Sequence, residues 1–469
     1  MHKKKGLSTH HWYIARFIMT GAMAQRRVKA AVIGAGMSGL VAARELRREG
    51  HHVVVFEKGN EVGGTWVYDP RIESDPSGLD PAREVIHSSM YKSLRVNLPR
   101  PIMGFSDYPF DAKPGVGDDP RPFPGHEAVL RFLQGFAADS GVVELVRFGH
   151  EVVRIERAVE GRNDEWVVEW RTRDGEASAE VFEAVVVCNG KFTEPRLAEF
   201  PGRTTWRGEQ IHSHNYRVPK PYKDKIVVII GNGPSGIDIA KDVLLAAKEV
   251  HLASRETTTF KIHGGLFQHS PIDHAEEDGK IVFQDGSSIY VDAIIHCSGY
   301  KYHFPFLKTN EIVNVDDNCV APLYQHVFPP ALAPWLSFIA IPYRTITFLL
   351  SELQSRWVAK ILSGKIQLPS KEDMTSSVQE YYQRIEAVGW PKRHTHRLQL
   401  EKFDYENWLV GELGLPPLEK WRQNMYFTSF DLLTTFDENG RDTWDVEKWM
   451  KGEEGGGGGS DNINYTLEC

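Results

Sequence analysis

Cysteine is scarce in this chain: 469 residues hold four, Cys188, Cys297, Cys319 and Cys469, far from one another. That spacing excludes a disulfide framework and a cysteine-ligated metal cluster, and it fits a reducing compartment. A cytoplasmic location without a bound metal is expected. Positive charge is not in excess either. The formal net charge of −8 excludes general nucleic-acid binding, which needs concentrated Lys and Arg. Long apolar runs are also lacking. The most apolar window, "ALAPWLSFIAIPYRTITFLL", carries Pro334, Pro342 and Arg344 inside it. It reads as core, and no integral membrane span is expected. Finally, no Asp or Glu precedes Glu45. The short apolar stretch near the start is broken by Arg16, unlike a secretory signal. Residues 1–27 are expected to be a disordered leader, with Met23 as an alternative start. "GGGGGS" marks 451–469 as a flexible tail.

What is present is an ordinary globular composition, 41% hydrophobic and 25% charged, on a length that calls for two or three domains. One sequence unit is written twice. "VKAAVIG" is a short β-rich run followed by Gly34, Gly36 and Gly39. A helical pattern, "LVAARELRREG", then stops at Gly50, and "HVVVFE" resumes the strand pattern. The second copy runs "KIVVIIG", with Gly231, Gly233 and Gly236, then "IDIAKDVLLAAK" and "EVHLASR". A lone GxGxxG is weak evidence. Strand, turn, helix and strand around it, twice, is strong. Each unit is followed by a β-meander pattern and an apolar strand ending in Cys-X-Gly, at Cys188 to Gly190 and Cys297 to Gly299.

The fold expected is α/β, with two Rossmann-like dinucleotide-binding domains, the second inserted into the first. The first domain would be discontinuous, 28–216 with 300–450, and the second would span 217–299.

Each turn lets the backbone approach a pyrophosphate at a helix N-terminus. Selectivity lies at the end of the next strand, about 20 residues past the first glycine. There the first unit has Glu57, which accepts bonds from ribose hydroxyls and repels a 2′-phosphate. The second has Ser254 and Arg255, a hydroxyl and a permanent fork-shaped cation suited to a 2′-phosphate. The Gly63-Gly64 pair after Glu57 lets the chain skirt an extended ligand, which favours FAD in the first domain. NADPH is expected in the second, as hydride donor to the flavin. No cysteine precedes Cys188, so a disulfide is not the electron acceptor. An external electron carrier and O2 remain.

The run "WRGEQIHSHNY", with Trp206, Gly208, His212 and Tyr216, resembles the fingerprint of the class B flavin-containing monooxygenases. Trp206 stands where Phe is usual, and the Tyr216 ending differs from the Trp-Pro of Baeyer–Villiger enzymes. "EVGGTW", "YKSLRVNLPR" and "HCSGYKYHFPFL" extend the likeness over roughly residues 28–449. "GLDPAREVIHSSMYKSLRVNLPR" and "HSHNYRVP" are similar to the plant S-oxygenating branch, the glucosinolate S-oxygenase-like enzymes, with the garlic S-alk(en)yl-cysteine S-oxygenase in similar company.

The resemblance implies that a small thioether is oxygenated to its sulfoxide by NADPH and O2, through a C4a-hydroperoxyflavin. It places Asn97 of "LRVNLPR" at the flavin as the catalytic residue and Trp66 in the cofactor site. His212 is expected to brace the domains and not to move protons. Segments near Met103, Phe267 and Tyr343 are expected to shape the substrate pocket. Gln354 and Trp357 have two open readings, flavin cavity or core. Two alternatives remain for function. One is an N-oxygenating, Baeyer–Villiger or auxin-forming flavin monooxygenase; the other is a non-catalytic FAD- and NADPH-dependent redox sensor.

Overall fold

The computed structural model describes residues 26–110, 119–158, 165–255, 264–398, 403–434 and 438–450. The expected leader up to residue 25, Met23 with it, and the Gly-rich tail lie outside them.

The first repeat folds as strand β1 (Lys29–Ile33), helix α1 (Met37–Arg48) and strand β2 (His52–Glu57). The continuous apolar run of β1 suits a strand covered on both faces, and Ala30, Ala31 and Val32 are fully buried. Helix α1 stops where expected. Gly50 adopts φ +83, and its N–H donates to Arg47 O. The first sheet is parallel throughout, in the order Leu336–Phe338, Ala184–Val187, β1, β2, Val146–Phe148. In chain order this is the 3-2-1-4-5 arrangement of doubly wound dinucleotide-binding domains.

The second repeat gives β3 (Ile226–Ile230), α2 (Pro234–Leu244) and β4 (Glu249–Ala253). Its sheet, also parallel, runs Leu266–His269, β4, β3, Ala293–His296, Glu209–His212. Every strand of this sheet falls between the fourth and fifth strands of the first, so the second domain is an insertion. The edge strand Glu209–His212 precedes β3 in the chain. It fills the place that a following strand, Leu336–Phe338, fills in the first sheet. Each domain also carries an antiparallel meander; in the first, His150–Arg157, Trp166–Thr172 and Ala177–Phe182 follow the parallel strand Val146–Phe148. The other comprises Ile272–Ala275, Lys280–Phe283 and Ser288–Tyr290, with Gly286 at φ +84 in a turn.

The apolar window is core: Leu336, Phe338 and Leu350 are fully buried. It leads into helix α3 (Thr347–Leu362), which packs on α1. Arg44 of α1 pairs with Glu45 at 2.7 Å and with Glu352 of α3 at 3.3 Å, all three buried. No helix among the described residues is long and apolar enough to cross a membrane.

Candidate active site

The two glycine turns agree to a few tenths of an ångström. Gly34 has φ +102, and a Cβ there would lie 2.7 Å from Cys188 O; Gly231 has φ +107, with Cys297 O at 2.6 Å. A Cβ on Gly39 would meet Gly34 O at 1.8 Å, and one on Gly236 would meet Gly231 O at 1.8 Å. The Cys-X-Gly strand ends therefore form the floor beneath each turn. Both thiols are buried, which pushes Cys297 up to about 12 and Cys188 higher still. Gly36 and Gly233 cap their helices without a side-chain acceptor, leaving first-turn N–H groups for an anion. The Gly63-Gly64 pair lies against the first turn: Gly63 N–H donates to Ala35 O at 3.0 Å, and a Cβ on Gly64 would come within 2.8 Å of Gly36 Cα. The result is a backbone-lined cradle.

Glu57, at the end of β2, accepts the Ala35 N–H at 2.7 Å and the Gly59 N–H at 2.7 Å, one on each carboxylate oxygen. These bonds fix it beside the turn, and each oxygen keeps a lone pair for a ribose hydroxyl. Past β4, the Ser254 N–H donates to His269 O at 3.1 Å, and Arg255 is exposed.

A cavity of about 920 Å³ joins the second turn to the first domain. Trp66, Asn97, Gly231, Gly233, Ser254 and Arg255 all line it. Gly34, Gly36, Gly39, Glu57, Gly63 and Gly64 form a second group at the first turn, and Gly236 belongs to the packing beneath the other. Of the three segments expected around a substrate pocket, Tyr343 lines this cavity. Met103 and Phe267 do not. Met103 is 4% exposed within the core of the first domain, and Phe267 stacks on His251 with ring centroids 4.8 Å apart. Gln354 and Trp357 resolve to the core reading. The Gln354 amide accepts the Ala340 N–H and donates to Tyr405 OH, and Trp357 packs on Phe328 and Trp408.

Lys191 and Asp238 also line the cavity, and Arg441 stands behind its wall. None of the three follows from local sequence. Lys191 Nζ donates to the carbonyls of Ala340, Ile341 and Pro342 at 2.9, 3.2 and 2.6 Å. It thereby holds the base of the loop that brings Tyr343, Arg344 and Thr345 to the cavity. Burial pulls its ammonium down to about 7. Arg441 Nη2 reaches Asn97 Oδ1 at 3.5 Å and Asp238 Oδ1 at 2.9 Å.

The fingerprint has a physical basis. The Trp206 indole lies over Gly208, where a Cβ would fall 2.0 Å from the ring. His212 pairs with His296 in the edge-strand register. Tyr216 OH donates to Asp242 Oδ2 of α2 at 2.5 Å, both groups buried. The segment thus seals one edge of the second sheet and fastens it to helix α2.

Residues 27–263 and 259–418 match the flavin-binding monooxygenase-like family. The chain belongs to this family. The monooxygenase is 53% identical over 422 residues to flavin-containing monooxygenase FMO GS-OX5 of Arabidopsis thaliana, covering 88% of this chain and 91% of that one. It is 51% identical to FMO GS-OX-like 3 of the same plant, covering 88% and 94%. Among solved structures, the S-allyl-L-cysteine S-oxygenase from Allium sativum superposes with a TM-score of 0.88 at 49% identity, covering 92% of this chain and 98% of that one. Tmm from Pelagibacter, at 24% identity and a TM-score of 0.73, shares the fold. The monooxygenase therefore keeps its relatives' architecture over nearly their full length.

Proposed function

We propose that this monooxygenase transfers one oxygen atom from O2 to the sulfur of a small thioether, using FAD and NADPH. The observation that carries this reading is the pairing of two sterically equivalent glycine turns with unlike residues at the strand ends. Glu57 serves the first turn and Ser254-Arg255 the second, and the second opens into the cavity that contains Asn97 and Trp66. The first domain, 28–216 with 300–450, is assigned to FAD and the second, 217–299, to NADPH.

In this assignment Gly34, Gly36 and Gly39 offer the first helix N-terminus to the flavin's pyrophosphate, and Glu57 orients its ribose. Gly63, Gly64 and Trp66 guide the ligand toward the cavity. Gly231, Gly233 and Gly236 do the same for NADPH, with Ser254 and Arg255 on the 2′-phosphate. Bound flavin would supply the redox chemistry, with NADPH as reductant and O2 as oxidant. The chain's own task is positioning and exclusion of water, because sulfur is nucleophilic enough without a general base. Asn97 offers an amide that donates and accepts at the reacting face. His212 has no place in proton transfer, since both its ring nitrogens are spent within the fold. The name of the garlic relative, an S-allyl-L-cysteine S-oxygenase, supports a sulfur acceptor of the S-alk(en)yl-cysteine type, and the likeness to the plant S-oxygenating branch adds the methylthioalkyl glucosinolate type.

Incubation with NADPH and O2 and a panel of thioethers, amines and ketones tests the acceptor class. Sulfoxide formation in step with NADPH oxidation is expected. Products from the amines or ketones and none from any thioether would overturn the sulfur assignment.

A further inference from the structure

Arg441 lies on a short helix, Glu438–Asp442, at the far end of the described chain, yet its side chain is buried. A single nitrogen, Nη2, contacts both the Asn97 amide oxygen and the Asp238 carboxylate. Asn97 belongs to the first domain and Asp238 to α2 of the second, and both face the cavity from which Arg441 itself is excluded. Its Nε is buried without an acceptor among the described residues, a cost that a surface-helix arginine would escape by turning outward.

Two neighbouring contacts hold the same segment down. Asp442 pairs with Arg95 at 2.6 Å, so adjacent residues 441 and 442 reach the alternate residues 97 and 95. Trp444 stacks on Phe123 with centroids 4.9 Å apart and planes 16° apart.

We propose that segment 438–450 is a clamp, in which Arg441 positions the Asn97 amide and ties it to α2. Arg441 also sets a positive charge 2.9 Å from the Asp238 carboxylate at the cavity wall, which lowers the negative charge that side presents to a dinucleotide. The two domains are thereby coupled: a dinucleotide that settles α2 also settles Asn97. This role rests on the cofactor assignment above but has readouts independent of turnover.

The test uses the flavin-loaded protein and compares Arg441→Met, Arg441→Lys and the double variant Arg441→Met/Asp238→Asn. NADP+ affinity is measured by titration, and hydrogen exchange is followed over residues 93–99 and 438–450 with and without NADP+. For Arg441→Met the dissociation constant is expected to rise about tenfold, the scale of one lost charge-assisted bond. Exchange should quicken in both segments, and NADP+ should no longer slow it around Asn97. Removing the Asp238 carboxylate in the double variant should recover NADP+ affinity but leave exchange near Asn97 fast. Arg441→Lys, which keeps the charge without the fork, should hold affinity within about threefold of the wild type. Unchanged affinity and exchange in folded Arg441→Met would overturn the proposal, as would recovery of both properties in the double variant. If Arg441→Met does not fold, Arg441→Lys decides: exchange near Asn97 as slow as in the wild type would overturn the clamp. Failure of the wild type to form any sulfoxide would count against the sulfur assignment and leave these binding readouts intact.

Discussion

His212 Nε2 donates to the Gly299 carbonyl at 2.9 Å while Nδ1 accepts the His214 backbone N–H at 3.0 Å. The two bonds fix one neutral tautomer and join the edge strand of the second sheet to the strand end where the chain returns to the first domain. Burial, with the nearby His214 and His296, holds the ring at about 3.

Acid should therefore destabilise the protein early. His296 and His326, also buried, are each held at about 4, chiefly by burial. The folded pKa values lie below the ordinary 6.5, so the unfolded chain takes up these protons first as the pH falls. Stability from neutral burial is complete above about pH 6.5 and is lost on the way down to about pH 4 and below. Each histidine contributes a slope of up to about 1.4 kcal/mol per pH unit. Urea midpoints at pH 7.5, 6.0 and 5.0 should fall steadily, and a level profile would show that these rings charge freely in the fold.

Gly36 and Gly39 should fail in different ways. Alanine at 39 drives a Cβ to 1.8 Å from the Gly34 carbonyl, so the apoprotein should lose about 3 kcal/mol or more. Alanine at 36 meets only Gly64, its Cα at 3.5 Å and its N at 3.9 Å, both ordinary contacts. Gly36→Ala should fold and melt near the wild type but emerge from purification with little flavin. Normal flavin content in that variant would remove the first turn from the cofactor site.

Lys191→Met withdraws the donor shared by three carbonyls of the cavity loop. A loss of about 2–4 kcal/mol in urea unfolding is expected, because the Ala340 and Pro342 carbonyls lose this donor while Ile341 O keeps the Tyr302 hydroxyl. A difference under about 0.5 kcal/mol would mean that the loop holds itself.

Arg255→Ala should weaken NADPH far more than NADH. Loss of a charged bond to the 2′-phosphate corresponds to about a 10- to 100-fold rise in KM for NADPH, with KM for NADH changed by less than about threefold. Parallel changes for both nucleotides would place the 2′-phosphate elsewhere.

Much of this architecture was legible in the sequence because it is local. The glycines, the apolar strands and the Gly50 stop lie within single supersecondary units, and their spacing encodes their geometry. The equivalence of Cys188 and Cys297 was visible for the same reason. The edge strand Glu209–His212 was not, since its "EQIH" alternation does not reveal that it pairs with a strand over eighty residues later. Met103 and Phe267, which do not line the cavity, were illegible on similar grounds: an apolar side chain carries no mark distinguishing pocket from core, as at Met103, or from surface, as at the exposed Phe267. Lys191, Asp238 and Arg441 became visible only through long-range contacts. A lone lysine or arginine in a charged chain signals nothing until its carbonyl or carboxylate partners are in place.

The central claim is oxygen transfer from O2 to sulfur. The protein is incubated with NADPH, 18O2 and S-allyl-L-cysteine or a methylthioalkyl glucosinolate, and the product is analysed by mass spectrometry. One 18O atom in each sulfoxide is expected, with one NADPH consumed and the second oxygen released as water. Sulfoxide carrying oxygen from water, or NADPH oxidation yielding only labelled H2O2 with every thioether supplied, would contradict it.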